Sequence, residues 1–226
     1  FDKMVYVTDV SQTLHFRQVF KALELAGADW VGRCVHAPFG LMSFKGGKIS
    51  TRQGNMVILE DVLDQASELT LKIIDEKNSA LEGKEDIARQ VGISAVVFAD
   101  LDTRRTRNVV FDWEEVLNFD GETGPYLQYT HARLCSIMRK YGQSVGPETD
   151  LSPLVAEAEM RVARVLEAWP GRLEQAAADN EPSVVAVYLI ELATAANKFY
   201  NEMPVLVADE ADTVAARAAL VEAVRG

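Results

Sequence analysis

The sequence predicts a mostly α-helical fold in which a short α/β portion precedes a helical bundle. Three observations carry that prediction. The first forty residues alternate strand-like and helix-like patterns. From Asn55 onward the apolar residues recur at helical spacing. Pro147, Pro153, Pro170, Pro182 and Pro204 punctuate the second half near the ends of apolar-striped segments, as expected where helices start and stop.

Phe1 to Val10 has the β-branched and aromatic character of a buried strand centred on Met4 to Val7. Ser11 is placed to cap a helix carrying Leu14, Val19, Phe20 and Leu23, with Gly27 as its stop. A second strand is expected at about 33–37, leading into Pro38-Phe39-Gly40. Such strand–helix–strand units belong to parallel sheets covered by helices. Two strands do not complete such a sheet, so the chain reads as entering the fold partway. Leu59, Leu63, Ala66, Leu69 and Ile73 form one helical stripe, with Glu60 and Asp61 at the end where the helix dipole favours acids. A helix over 84–101, interrupted at Gly92, follows. Asp120 to Gly124 is a turn, and Pro125 suits the first position of the next helix. Residues 154–168, 183–203 and 211–225 complete the expected bundle.

Composition bounds the function classes. A chain of 226 residues holds one or two domains with a proper core. No apolar run approaches the roughly 18 residues of a membrane span, and no signal peptide opens the sequence. Cys34 and Cys135 are isolated thiols, and with only His15, His36 and His131 beside them no metal site is expected. Both facts suit a reducing cytoplasm. The net charge of −11 argues against a general nucleic-acid binder, yet leaves room for a selective one with cations gathered on one face. Residues 119–226 carry 16 acids against 9 bases, and residues 1–118 carry 18 against 14.

Three stretches carry candidate chemistry. Gly46 to Asn55 is a glycine-flanked loop in which Lys48 and Arg52 supply charge and Ser50 and Thr51 supply donors. It reads either as a polar surface hairpin or as a clamp for a phosphate group whose charge grows during reaction. The cluster Arg104-Arg105-Thr106-Arg107-Asn108 is either a solvated turn or a contact to a nucleic-acid backbone. At about 100° per residue, Tyr126, Tyr129 and Arg133 fall within about 60° of one another. They are either core-edge residues making phenol hydrogen bonds or a stacking platform for splayed RNA bases. Asn197 to Asn201 is open to an outward reading, although aromatic residues at a helix end favour the core.

Taken together, Tyr6-Val7-Thr8-Asp9, Gln12 with His15-Phe16, His36 to Gly40, Lys48 to Arg52, and Asp120 to Tyr129 closely resemble the bacterial-type arginyl-tRNA synthetase family, in that family's order. The run from Gly121 to Arg133 is the most specific part. The resemblance implies a class I synthetase, in which arginine and ATP give arginyl-adenylate before arginine passes to the 3′ end of tRNA(Arg). It implies the C-terminal part of a Rossmann-like catalytic domain over 1–58, a helical connecting region contacting the tRNA stem over 59–117, and an all-α anticodon-binding domain over 118–226. Lys48, Ser50 and Arg52 would belong to the catalytic signature loop. His36, Phe39, Gly40, Met42 and Lys48 would serve ATP, and Gln12 the amino-acid substrate. Arg104, Arg105, Tyr126, Tyr129 and Arg133 would face tRNA. ATP with Mg²⁺ is implied as a substrate complex, with no tightly bound cofactor.

The departures shape the expectation further. Ile49 stands for the usual methionine, Thr51 for the second lysine of the consensus loop, and Gln53 where a basic residue is frequent. No His-x-Gly-His motif occurs in the sequence. The expectation is therefore a C-terminal part of the ligase that forms no adenylate by itself, with self-association through an uncovered sheet edge. The intact enzyme is expected to be monomeric. The competing expectation is a non-enzymatic tRNA-binding or regulatory module derived from a synthetase.

Overall fold

The computed structural model describes residues 1–44, 58–119, 121–208 and 210–226. Strand β1 (Met4–Asp9) pairs in parallel with β2 (Cys34–Phe39), from Met4 opposite Cys34 to Asp9 opposite Phe39. Helix α1 (Thr13–Leu25) makes the crossover. Its Phe16 and Phe20 rings meet Tyr6 at centroid distances of 5.1 and 5.7 Å, and Phe16 stacks on His36 at 4.6 Å. The aromatic content that suggested a strand thus supplies the contact between sheet and helix. Capping differs from expectation. Asp9, not Ser11, accepts the hydrogen bond, taking the Ser11 amide at 2.9 Å in a short 3₁₀ turn that precedes α1.

Strand β3 (Met42–Phe44) pairs in parallel with β4 (Val109–Phe111), a sheet absent from the sequence reading. Strands this short carry no usable alternation. Their pairing crosses the expected boundary at residue 58. Helices α2 (Leu59–Asn78) and α3 (Lys84–Leu101) pack beside this sheet. Of the expected α2 stripe, Ala66 is fully buried and Leu69 and Ile73 pack against the core beside Val62, whereas Leu59 is exposed. Gly92 does not interrupt α3. A Cβ there would lie 2.7 Å from the Ala66 backbone, so the glycine is where the two helices touch at main-chain distance.

A short α4 (Trp113–Val116) leads to the bundle of α5 (Gly124–Tyr141), α6 (Glu157–Glu167), α7 (Trp169–Asp179), α8 (Ser183–Glu202) and α9 (Ala211–Arg225). Thr123 caps α5, and Pro125 lies in its first turn. Helix α7 was not expected, because Trp169-Pro170-Gly171 reads as a break. Pro170 instead occupies the first turn, where a missing N–H costs no helical hydrogen bond. Leu134, Val162, Tyr188, Leu192, Phe199 and Val221 form the bundle core. Inside it Glu159 is 1 % exposed and accepts from Arg217 Nε at 2.7 Å and from the Ala156 amide at 2.9 Å. Arg217 also donates to the Pro204 carbonyl at 3.1 Å. This pair ties α6 to α9 and to the segment following α8. Among the described residues no helix is long and apolar enough to cross a membrane.

Breaking the buried pair by Arg217→Leu strands the Glu159 carboxylate, and chemical denaturation is expected to register a loss of about 3–5 kcal/mol. Lys21→Ala, which breaks the exposed pair with Glu24, is expected to cost no more than about 1 kcal/mol. Equal effects would contradict the assignment of the Arg217–Glu159 pair to the core.

Candidate nucleic-acid interface

Helices α5 and α8 build an aromatic–cation cluster at the bundle surface. The Arg133 guanidinium lies 4.9 Å from the Tyr129 ring centroid and 5.1 Å from that of Tyr200. Tyr129 is 56 % exposed and Tyr200 40 %. Asn197 holds the arrangement. Its Oδ1 accepts from Arg133 Nη1 at 2.8 Å, while its Nδ2 donates to the Tyr126 hydroxyl at 3.0 Å and to Thr130 Oγ1 at 2.8 Å. One carboxamide therefore fixes a cation and a phenol on the facing helix. Two cation–π contacts of about 0.5–1 kcal/mol each further restrain the guanidinium. The result is a pre-oriented surface of π faces and positive charge, suited to unstacked bases.

The two readings of the tyrosines divide between them. Tyr126 is half-buried and makes the phenol hydrogen bond of a core-edge residue, whereas Tyr129 is the open ring. Residues Asn197 to Asn201 divide likewise, with Phe199 in the core and Tyr200 at the surface. Asn197 and Tyr200 were absent from the candidate set. Their spacing of one helical turn was the available signal.

The arginine turn has an internal and an external part. Arg105 donates from Nη1 to the Pro38 carbonyl at 2.7 Å, from Nε to the Asn180 carbonyl at 2.9 Å and from Nη2 to the Asp179 carbonyl at 3.3 Å. Glu181 accepts its backbone amide at 3.2 Å. Its carbonyl accepts from the Gly40 amide at 2.6 Å. Arg105, read from sequence as a tRNA contact, is thus a strut between β2 and the α7–α8 turn. Arg104 and Arg107 on either side are exposed and have no side-chain partner among the described residues.

Gln12, Phe39 and Gly40 gather at the carboxyl ends of β1 and β2, the edge where parallel sheets bind ligands. Gln12 and Phe39 are exposed there. A Cβ on Gly40 would lie 2.0 Å from the Arg107 carbonyl oxygen, so the strand end and the arginine turn meet at backbone distance. The His36 imidazole is engaged inside this unit: it stacks on Phe16 and shares a 2.9 Å hydrogen bond with Thr8 Oγ1. Met42 packs against the core of Val62, Phe111 and Val116. Lys48, Ser50 and Arg52 lie outside the described residues.

Comparison with known proteins relates the chain to a family. A family profile described as tRNA synthetases class I (R), catalytic domain, matches residues 1–113. A second, the DALR anticodon binding domain, matches residues 127–226. An arginine–tRNA ligase from Clostridium perfringens is 48% identical over 224 residues, covering 99% of this chain and 40% of the relative. One from Clostridium acetobutylicum is 45% identical over 223 residues, covering 99% of this chain and 39% of the relative. The chain thus spans about 40% of the length of the curated relatives it matches. The solved arginyl-tRNA synthetase of Thermus thermophilus superposes with a TM-score of 0.89 at 32% identity, covering 99% of this chain and 38% of that one. The Plasmodium falciparum structure shares the fold, with a TM-score of 0.80 at 20% identity over 99% of this chain and 38% of that one.

Two stability effects follow from the arginine turn. Arg105→Ala removes three charge-assisted hydrogen bonds and is expected to cost about 2–3 kcal/mol, with faster amide exchange at the α7–α8 turn. Arg105→Lys is expected not to restore it, since an ammonium does not span three carbonyls as the planar fork does. Burial raises the Asp102 carboxyl pKa, the Glu122 and Asp100 charges push it further, and only the Thr103 hydroxyl pulls it back. The folded state therefore holds that proton more tightly than the unfolded one, and stability falls as pH rises through the folded value. Asp102→Asn, which keeps an acceptor for Thr103, is expected to raise the thermal midpoint at neutral pH. The gain should vanish below the ordinary carboxylate range; a gain that is constant with pH would contradict this account.

Proposed function

The chain belongs to the class I arginyl-tRNA synthetase family, and from that premise we propose that it supplies two parts of an arginine–tRNA ligase. The first is the edge of the Rossmann-like catalytic domain with its signature loop. The second is the domain that reads the tRNA(Arg) anticodon. The whole enzyme joins arginine to ATP, releasing pyrophosphate, and then passes arginine to the 3′ end of the tRNA, releasing AMP. In this reading Lys48, Ser50 and Arg52 stabilise charge developing on the departing pyrophosphate, with Mg²⁺ accompanying ATP. Gln12, Phe39 and Gly40 face the substrates at the strand ends. The cytoplasm is the compartment this reading implies.

The observation that carries the anticodon assignment is the guanidinium of Arg133 held between Tyr129 and Tyr200 by Asn197. Bases stack on aromatic faces for about 1–3 kcal/mol each. The surface is oriented before RNA arrives, so little ordering cost opposes binding. Tyr126 contributes indirectly, as a hydroxyl that accepts from Asn197.

Tyr129→Ala and Tyr200→Ala are each expected to weaken binding of an arginine tRNA transcript by roughly 5- to 150-fold, the factor corresponding to 1–3 kcal/mol. Preference over an anticodon-substituted transcript should shrink in the same variants. Asn197→Ala should weaken binding in the wild-type background and have little further effect when Arg133 is already alanine, the signature of a residue acting through its neighbour. Unchanged anticodon preference in both tyrosine variants would overturn the assignment.

A further inference from the structure

We propose that Arg104, Arg107 and Arg172 form a second RNA contact, a site for backbone phosphates separate from the aromatic platform. The inference rests on reading the chain as a tRNA-binding one. It begins with the division of labour inside the arginine turn. Arg105 is bonded inward to three carbonyls and does not line the adjoining depression. Arg104 and Arg107 do line it, and Arg172 of α7 comes to it from the bundle side. The depression holds about 450 Å³, and Thr103, Gln175 and Ser183 add polar groups to its lining.

The turn is built to hold its arginines in place. Besides the Arg105 strut, the Arg107 amide bonds to the Arg104 carbonyl at 2.8 Å, and Asn108 Oδ1 accepts the Leu41 amide at 2.8 Å. The close approach of Gly40 to the Arg107 carbonyl seats the turn on the end of β2. A turn held in this way, presenting two guanidinium groups that have no side-chain partner among the described residues, is an unusual feature in a chain of net charge −11. Exposed cations there give local attraction where the molecule as a whole repels RNA. Arg172 has a partner, with Nη2 3.5 Å from Glu191 Oε2, but both side chains are 45% exposed. Such a pair is worth at most about 1 kcal/mol, so a phosphate can replace the carboxylate. Asp102 also lines the depression and weakens its field.

The depression is open to solvent rather than enclosed, which suits the phosphates of a polymer passing across its mouth better than a single small anion held inside. The two sites share one helix. Val187 lines the depression and Tyr200 belongs to the platform, and both lie on α8. At 1.5 Å and about 100° per residue they are separated by roughly 20 Å along the helix axis and by about 140° around it, so an RNA touching both passes around α8 rather than along one face. Phosphate contacts here set the register of the RNA while the platform reads its bases.

The test is binding of an arginine tRNA transcript and its anticodon-substituted counterpart to the chain across a salt series. Each phosphate contact contributes roughly 0.7–0.9 to the slope of log affinity against log salt. Arg104→Gln combined with Arg107→Gln is expected to lower that slope by about 1–2 and to weaken both RNAs by the same factor. Arg172→Gln should lower it by about 1 more. The ratio between the two RNAs and the thermal midpoint should stay unchanged, since among the described residues these side chains make no bond beyond the Glu191 pair. Wild-type slope and affinity in the triple variant would overturn the proposal while leaving the anticodon reading intact. A reduced slope in a chain that never distinguishes the two RNAs would support the phosphate site and overturn the anticodon reading. A wild-type chain that binds neither RNA would overturn both.

Discussion

One guanidinium joins the end of the opening parallel sheet to the helical bundle. Arg105 reaches the Pro38 carbonyl near the end of β2 and the Asp179 and Asn180 carbonyls at the α7–α8 turn from a single planar group. The turn that receives it is itself bent, with Asn180 in the left-handed region at φ 50. Asparagine tolerates that conformation better than a bulkier residue, and its freed carbonyl becomes the acceptor. Lys3 adds a second tie, donating to Asn180 Oδ1 at 2.8 Å. A catalytic-domain edge and a helical bundle thereby meet through fixed hydrogen bonds.

The same economy of groups recurs at the surface cluster. Asn197 has one acceptor and two donor hydrogens, and all three are engaged across the α5–α8 interface. Because each partner is a different side chain, the carboxamide fixes the relative rotation of the two helices. Arg133 is consequently oriented by a hydrogen bond at one edge and by two rings beside it. Beneath this, the Arg217–Glu159 pair fixes α9 against α6. Polar bonds specify the register, and the apolar core around Phe199 and Val162 supplies the burial.

How much of this was legible in the sequence follows from the range of each interaction. The strand–helix–strand opening, α3, α5, α8 and α9 were readable because periodicity and capping act within a few residues. Helix α7 was hidden because a proline in a first turn looks the same as one that breaks a helix. Strands β3 and β4 were hidden because three residues make no pattern, and their pairing joins positions far apart in the chain. The candidate site shows the same division. Tyr126, Tyr129 and Arg133 share one helix and were found together, while Tyr200 and Asn197 come from another. Arg105 was grouped with its neighbours because sequence shows its charge and not the carbonyls waiting for it.

The most direct test of the central claim, that the α5–α8 surface reads single-stranded bases of tRNA, is chemical probing of an arginine tRNA transcript with and without the chain. The account predicts that base edges in the anticodon loop lose reactivity on binding, and that Arg133→Ala restores it. Protection confined to helical stems, or loop protection that survives Arg133→Ala, would contradict it.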